Sequence, residues 1–117
     1  MPNKLVALGA LNGLVSVAAG AFGAHALKTR LDARSLEIFE TAARYQMYHA
    51  FAMLLCGMLA ARATTAGWAF QVGILIFSGS LYALALTGIK GLGAITPIGG
   101  VGFLVGWALL AWTAWRG

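Results

Sequence analysis

Residues 5–27 read LVALGALNGLVSVAAGAFGAHAL and contain no charged side chain. A helix that crosses the hydrocarbon core of a bilayer needs about 20 predominantly apolar residues, so this stretch is long enough to cross once. It is also longer than the apolar region of a secretory signal peptide, which is about 7 to 15 residues. We therefore expect it to be retained as a transmembrane helix.

Three further apolar blocks follow, at residues 45–61, 66–89 and 95–115. Lipid offers the backbone no hydrogen bonds, so a spanning segment must be a helix or part of a closed barrel. The blocks are continuously apolar, whereas barrel strands alternate between apolar and polar residues, and this favours helices. The sequence predicts an all-α, polytopic membrane protein, a four-transmembrane-helix bundle that forms a single domain over residues 1–117.

The composition supports the same class. Hydrophobic residues make up 61% of the 117-residue chain and charged residues only 9%, against about 25% charged residues in soluble domains. These values exclude an ordinary soluble domain and a disordered chain. The net charge of +5 is spread between apolar blocks and forms no basic stripe of the kind that binds nucleic acid, so we expect no nucleic-acid partner. A single cysteine, Cys56, excludes a disulfide framework and a four-thiolate metal site.

The first loop, residues 28–44, is the longest connection. It holds all three acidic residues of the chain: Asp32, Glu37 and Glu40. Asp32 is a good N-cap, because its carboxylate can accept hydrogen bonds from the free amides of a following helix. Apolar and charged residues fall on different faces after Asp32, so the sequence predicts a short amphipathic interfacial helix at about 33–44.

The third loop, residues 90–94, reads KGLGA and precedes the fourth span. Thr96 is expected to cap that helix, with Pro97 at the first helical position, where a missing amide costs nothing. Gly99 and Gly100 follow at once, so the first turn is expected to be soft or irregular.

The basic residues predict the orientation of the spans. An even number of spans places both termini on one side, with Lys4, Arg62 and Arg116. The other side carries more positive charge, on Lys28, Arg30, Arg34, Arg44 and Lys90. The positive-inside rule then places loops 1 and 3 in the cytoplasm and both termini outside.

Small residues recur at steps of three and four along the first and fourth spans. Such stripes let helix backbones approach closely, and this contact replaces the hydrophobic drive that is absent in lipid. We expect most of these stripes to pack within the chain, and one could also mediate self-association. The predicted helix-packing residues are Gly9, Gly13, Ser16, Gly20, Gly23, Gly99, Gly102 and Gly106.

Polar residues inside the spans gather in the half of the bilayer that faces loops 1 and 3. Two interpretations compete. The residues either form hydrogen bonds between helices or line a pocket that admits a lipid headgroup or a small polar molecule. The candidate pocket residues are His25, Tyr45, Gln46, His49, Ser78, Ser80, Tyr82 and Thr96.

Other chemistry has less support in the sequence. No Asp or Glu lies inside a span, which disfavours a carrier coupled through intramembrane carboxylates. The chain has no Ser-His-Asp set, HExxH or P-loop, so we predict no catalytic residues. His25 and His49 could hold a metal or a b-type haem, but interfacial histidines are more often simple hydrogen-bond donors. We therefore predict no metal and no cofactor.

Three parts of the sequence resemble the signatures of one family. These are GAFGAHAL at 20–27, FETAARYQMYHA at 39–50, and FSGSLY at 77–82 with LTG at 86–88, ITPIGG at 95–100 and GW at 106–107. Over nearly its whole length the chain resembles the domain of unknown function 423 family. Its members are the small YgdD-like inner-membrane proteins of bacteria, and the eukaryotic relatives are named transmembrane protein 256.

The resemblance implies a multi-pass protein of the bacterial inner (plasma) membrane, with no established activity, substrate or cofactor. The residues themselves favour a non-enzymatic protein that binds a membrane lipid or a partner membrane protein through the polar cluster. The alternative is a small channel or carrier. It would be oligomeric, because a single four-helix unit rarely encloses a pore. A third possibility is a membrane enzyme, or a metal or haem site, that uses His25 and His49.

Overall fold

The computed structural model describes residues 3–117 and is helical throughout, with short connections. Four long helices follow one another. We call them α1 (Lys4–Leu27), α2 (Ala33–Met58), α3 (Thr64–Thr87) and α4 (Thr96–Arg116). The 3-10 turns Ala60–Ala63 and Lys90–Ala94 precede α3 and α4. No strand is present in the described part of the chain, and the all-α prediction is confirmed.

The first helix is not uniform along its length. An α-helical part, Lys4–Val17, is followed by a π-helical segment, Ala18–Gly23, and by one further α-turn, Ala24–Leu27. Asn3 caps the start, because its side-chain oxygen accepts from the amide of Val6 at 3.2 Å. π-Helical turns inside α-helices are rare and often occur at functional sites.

Loop 1 is shorter than the sequence suggests. The predicted interfacial helix, 33–44, and the predicted second span, 45–61, form one continuous helix, α2. The reason is that nothing between residues 33 and 56 interrupts a helix, since this stretch contains neither proline nor glycine. The Asp32 cap is confirmed, with the Ser35 amide donating to its carboxylate at 2.7 Å. Hydrogen bonds from the amide and hydroxyl of Ser35 lower the pKa of Asp32.

The ends of α3 and α4 differ slightly from the predicted ones. α3 ends at Thr87 because Gly88 adopts a left-handed conformation, with φ of 72°, which glycine accepts without strain. Thr96 is not the cap of α4, because the helix already includes it and Ile95 precedes it. The Thr96 hydroxyl bonds instead to Ser80 on α3, at 2.5 Å.

The helices form a row in chain order, in which α1 packs on α2, α2 on α3, and α3 on α4. Two apolar cores lie along this row. The larger one includes Met53, Cys56 and Phe70 near the end with the termini, and the smaller one joins Ala24, Phe39 and Ala85 near loops 1 and 3. Asn3 donates to the carbonyl of Gly57 at 3.0 Å, so the start of α1 and the end of α2 lie at the same end of the molecule.

The outer surface of the helices is apolar. Large side chains on every helix are well exposed, among them Leu14, Phe51, Leu75 and Leu104. Three segments are long and apolar enough to cross a membrane: Lys4–Leu27, Ala61–Thr87 and Lys90–Arg116. α2 is not among them, because its first half carries charged residues and its centre, residues 44–49, is polar. Long apolar helices with apolar surfaces identify a membrane protein.

Candidate functional site

A chain of side-chain hydrogen bonds joins α1, α2 and α3. The Tyr82 hydroxyl donates to Gln46 Oε1 at 2.8 Å, and Gln46 Nε2 donates to Asn12 Oδ1 at 3.0 Å. Asn12 Nδ2 then donates to Gln71 Oε1 at 2.7 Å and to the carbonyl of Leu8 at 2.9 Å. Bonds of this kind hold transmembrane helices together, since a polar group in hydrocarbon has no water to bond instead.

Two serines fix α1 and α3 to neighbouring carbonyls of α2. Ser16 on α1 donates to the Ala43 carbonyl at 2.7 Å, and Ser78 on α3 donates to the Ala42 carbonyl at 2.8 Å. Ala42 and Ala43 are buried, and their small side chains allow both serines to approach the backbone. α1 and α3 therefore both form hydrogen bonds to the same turn of α2.

His49 is enclosed by aromatic side chains of α3 and α4. Its ring lies parallel to that of Phe103, with 3.5 Å between the ring centroids and 3° between the planes. His49 Nδ1 is 2.7 Å from the Tyr45 carbonyl and donates to it, because a carbonyl can only accept. His49 Nε2 is then the acceptor for Trp107 Nε1, at 3.1 Å. Both ring nitrogens are engaged, so a metal would have to displace one of these bonds.

His25 lies apart from His49. It is exposed on the last turn of α1 and lines a cavity with Lys28, Leu36 and Glu40. The structure therefore does not bring the two histidines together as a metal or haem pair. Among residues 3–117, no group of three or more His, Cys, Asp and Glu side chains is placed to hold a metal ion.

The eight candidate pocket residues fall into separate groups. Gln46 and Tyr82 belong to the hydrogen-bond chain, Ser78 bonds to α2, and Ser80 pairs with Thr96. Tyr45 lies beside His49, and its ring centroid is 4.8 Å from that of Phe77. Every buried side-chain nitrogen and oxygen within the described range has a hydrogen-bond partner. These contacts favour the interpretation that the cluster joins helices over the one in which it forms a single pocket.

Most of the predicted glycine stripe on α1 faces α2. A methyl group added at Gly9 would lie 3.1 Å from the Ala50 carbonyl, and one at Gly23 would lie 3.2 Å from Phe39. On α4, a methyl at Gly106 would lie 2.6 Å from Phe70, and one at Gly99 would overlap the backbone of Phe77. Gly13 faces open space and does not share this role.

A groove with both charged and apolar lining residues lies between the π-helical segment of α1 and the first half of α2. It consists of two adjoining cavities, of about 300 and 260 Å³, which share Gly20 and Glu40. Arg44 lines the first cavity, and His25 and Lys28 line the second. We call this feature the loop-1 groove. Its lining combines the acidic side chain of Glu40 with the basic side chains of Arg44 on α2 and Lys28 just after α1.

Sequence reasoning did not single out three of these contributors. Asn12 and Gln71 form the centre of the hydrogen-bond chain, and Trp107 bonds to His49. Asn12 gave the clearest signal, since it is the only amide side chain in the first apolar block. The loop-1 groove could not be inferred, because its basic residues also serve as signals of membrane orientation.

A second polar cavity lies at the opposite end, near the chain termini. It has a volume of about 440 Å³ and is lined by Arg62, Thr113 and Arg116. The Arg116 guanidinium also lies 5.7 Å from the ring centroid of Trp112. Arginine beside tryptophan is typical of a membrane–water interface.

Comparison with known proteins places the chain in a family. The family model described as "Protein of unknown function (DUF423)" matches residues 19–100. A membrane protein of Staphylococcus saprophyticus, named a UPF0382 membrane protein, is 50% identical over 109 residues, which cover 90% of this chain and 91% of the relative. The UPF0382 membrane protein YwdK of Bacillus subtilis is 44% identical over 111 residues, with 90% of each chain covered. No solved structure matches. The chain therefore belongs to the DUF423 family of membrane proteins, and the resemblance noted in its sequence is confirmed.

Proposed function

We propose that the protein is a non-enzymatic integral membrane protein that crosses the bilayer four times and binds a phospholipid by its headgroup in the loop-1 groove. The observation that carries this proposal is the groove itself, in which Arg44 lines one cavity, Lys28 lines the other and Glu40 lines both. Lysine and arginine are the usual partners of phosphate.

The fourth crossing is supported by the length and position of α2. Its 26 residues correspond to about 39 Å, which exceeds the roughly 30 Å of a hydrocarbon core. Its far end meets the start of α1 through the bond from Asn3 to Gly57. Its near half contacts the last turns of α1, where Gly23 approaches Phe39. Because α2 runs alongside α1 over this length, it is expected to cross the bilayer if α1 does.

The depth of Arg44 supports a lipid ligand. Arg44 lies 14 residues before Met58, or about 21 Å along the helix. With Met58 at one interface, the Arg44 backbone then lies inside the opposite leaflet, and its exposed side chain must extend to the headgroups. A phosphate that meets Arg44 in the groove would satisfy this charge.

The orientation of the helices is part of the proposal. We place loops 1 and 3 in the cytoplasm and both termini outside the inner membrane of a bacterium, because the loop-1 end carries more lysine and arginine. A reporter fused after Gly117 should be active only outside the cytoplasm. A cytoplasmic signal would overturn this orientation.

The lipid site can be tested on the full chain, purified and stripped of lipid in detergent. Phosphatidylglycerol is titrated in, and bound lipid is counted by native mass spectrometry. The double variant Lys28→Ala, Arg44→Ala should bind at least about tenfold more weakly, since each charged hydrogen bond contributes about 1.5 to 3 kcal/mol. The control, Arg30→Ala with Arg62→Ala, removes the same charge away from the groove and should bind as the wild type does. Equal losses in both variants would contradict the proposal.

A further inference from the structure

We infer that the loop-1 groove selects a phospholipid whose headgroup carries a primary ammonium beside its phosphate, with Glu40 as the acceptor for that ammonium. This inference rests on the proposed function and names the lipid class. Its starting point is the position of Glu40, which is half-buried and lines both cavities of the groove.

The neighbouring polar groups do not bond to Glu40. Arg44, one turn further along α2, donates through Nη2 to the Thr41 hydroxyl at 3.2 Å. Thr41 in turn donates to the backbone carbonyl of Glu37 at 2.9 Å. Among residues 3–117, none donates a hydrogen bond to the Glu40 carboxylate. Glu40 is therefore a half-buried acid whose acceptor capacity is open toward the groove.

An open carboxylate in a membrane groove points to a cationic ligand group. Glu40 would repel the phosphate of a purely anionic headgroup, although Lys28 and Arg44 would attract it. A headgroup with both charges resolves this conflict, because its phosphate can meet the basic side chains while its ammonium meets Glu40. A primary ammonium has three N–H donors for a carboxylate, whereas a quaternary choline group has none.

Glu37 provides a matched control for Glu40. It lies one turn earlier on α2 and is exposed, and it lies outside both cavities of the groove. Replacing either residue by glutamine removes one negative charge from the same helix with little change of shape. If the groove determines which lipid is bound, only the Glu40→Gln variant should change that selection.

The experiment compares three probes on the delipidated full chain by native mass spectrometry: phosphatidylethanolamine, phosphatidylcholine and phosphatidylglycerol with identical acyl chains. Wild-type protein should bind the ethanolamine lipid about tenfold more tightly than the other two, as expected for one added charged hydrogen bond. Glu40→Gln should remove this preference, and Glu37→Gln should retain it. Soluble phosphoethanolamine at the same concentration should displace little lipid, because it lacks the acyl chains.

The outcomes separate this inference from the function on which it rests. Equal binding of all three lipids by the wild type, with losses in the Lys28→Ala, Arg44→Ala variant, would overturn the ammonium selection and leave the lipid site standing. Binding that is insensitive to Lys28 and Arg44 would overturn both. Displacement by phosphoethanolamine as effective as that by lipid would overturn the assignment to a lipid. The wild-type preference needs no variant, so a misfolded variant cannot obscure the result.

Discussion

The indole nitrogen of Trp107 donates to Nε2 of His49 at 3.1 Å, and this bond joins α4 to α2. The ring of Phe103, also on α4, stacks on the same histidine. α4 otherwise packs mainly on α3, so this contact is a direct connection between two helices that are not neighbours in the chain. His49 is buried, and its acceptor nitrogen depends on Trp107.

The first prediction concerns this bond. Trp107→Phe should lower the free energy of unfolding in detergent by about 1 to 3 kcal/mol, because it leaves a buried acceptor without its donor. Trp112→Phe is the control, since Trp112 is 59% exposed on the same helix, and it should be close to neutral. The measurement is reversible unfolding in mixed micelles. Equal effects of the two substitutions would show that the bond contributes nothing specific.

The second prediction concerns the hydrogen-bond chain. Asn12→Leu removes the acceptor of Gln46 and the donor to Gln71, so a buried amide and a half-buried amide each lose a partner. Interhelical bonds in membranes contribute about 0.6 kcal/mol on average and up to about 1.7, which gives an expected loss of about 1 to 3 kcal/mol. Gly13→Leu adds bulk at the next position, which faces open space, and should cost much less. A stable Asn12→Leu protein would mean that the amides find other partners.

The third prediction compares two glycines near the α3–α4 contact. A methyl group at Gly99 would overlap the backbone of Phe77, whereas one at Gly79 meets nothing within 4 Å. Gly99→Ala should therefore destabilise the protein by about 1 to 3 kcal/mol or more, because α4 must move away from α3. Gly79→Ala should stabilise it by up to about 1 kcal/mol, since alanine is the better helix former. Similar thermal unfolding of both variants would contradict the close approach of the helices.

The fourth prediction concerns pH at the start of α2. Hydrogen bonds from Ser35 lower the pKa of Asp32 in the folded protein, so the ionised cap stabilises the helix. That stability is fully present above about pH 4, the ordinary range of an Asp carboxyl, and is lost as the pH falls through the lowered value. The protection of the Ser35 amide against hydrogen exchange, relative to the intrinsic rate at each pH, should fall over that acid range in the wild type. Asp32→Asn keeps a capping oxygen without the charge, and exchange in this variant should lack the acid step.

The sequence predicts the helices well because backbone groups in lipid must form their hydrogen bonds within the protein, and a continuous apolar segment does so as a helix. The predicted block 66–89 and the helix Thr64–Thr87 differ by two residues at each end, and the overshoot arises at Ile89. That residue is apolar, so composition includes it, whereas the left-handed Gly88 has already ended the helix.

The contacts between helices were harder to predict. Asn12 and Gln71 are 59 residues apart in the chain, and no local pattern pairs them. The position of Arg44 misled the prediction in another way. A charge normally marks the end of a span, so the sequence divided α2 at this residue, although the helix continues through it.

The π-helical segment Ala18–Gly23 changes the phase of α1. A π-turn holds more residues than an α-turn, so the side chains after Gly23 are rotated about the axis relative to an uninterrupted α-helix. The half with Asn12 and Ser16 faces its buried partners, while the phase shift directs His25 and Lys28 toward the groove. Deleting one residue in this segment is expected to restore a regular α-helix and to turn both side chains by about 100° relative to Asn12 and Ser16. The π-helical segment therefore allows the two halves of α1 to present their side chains at different angles around the helix axis.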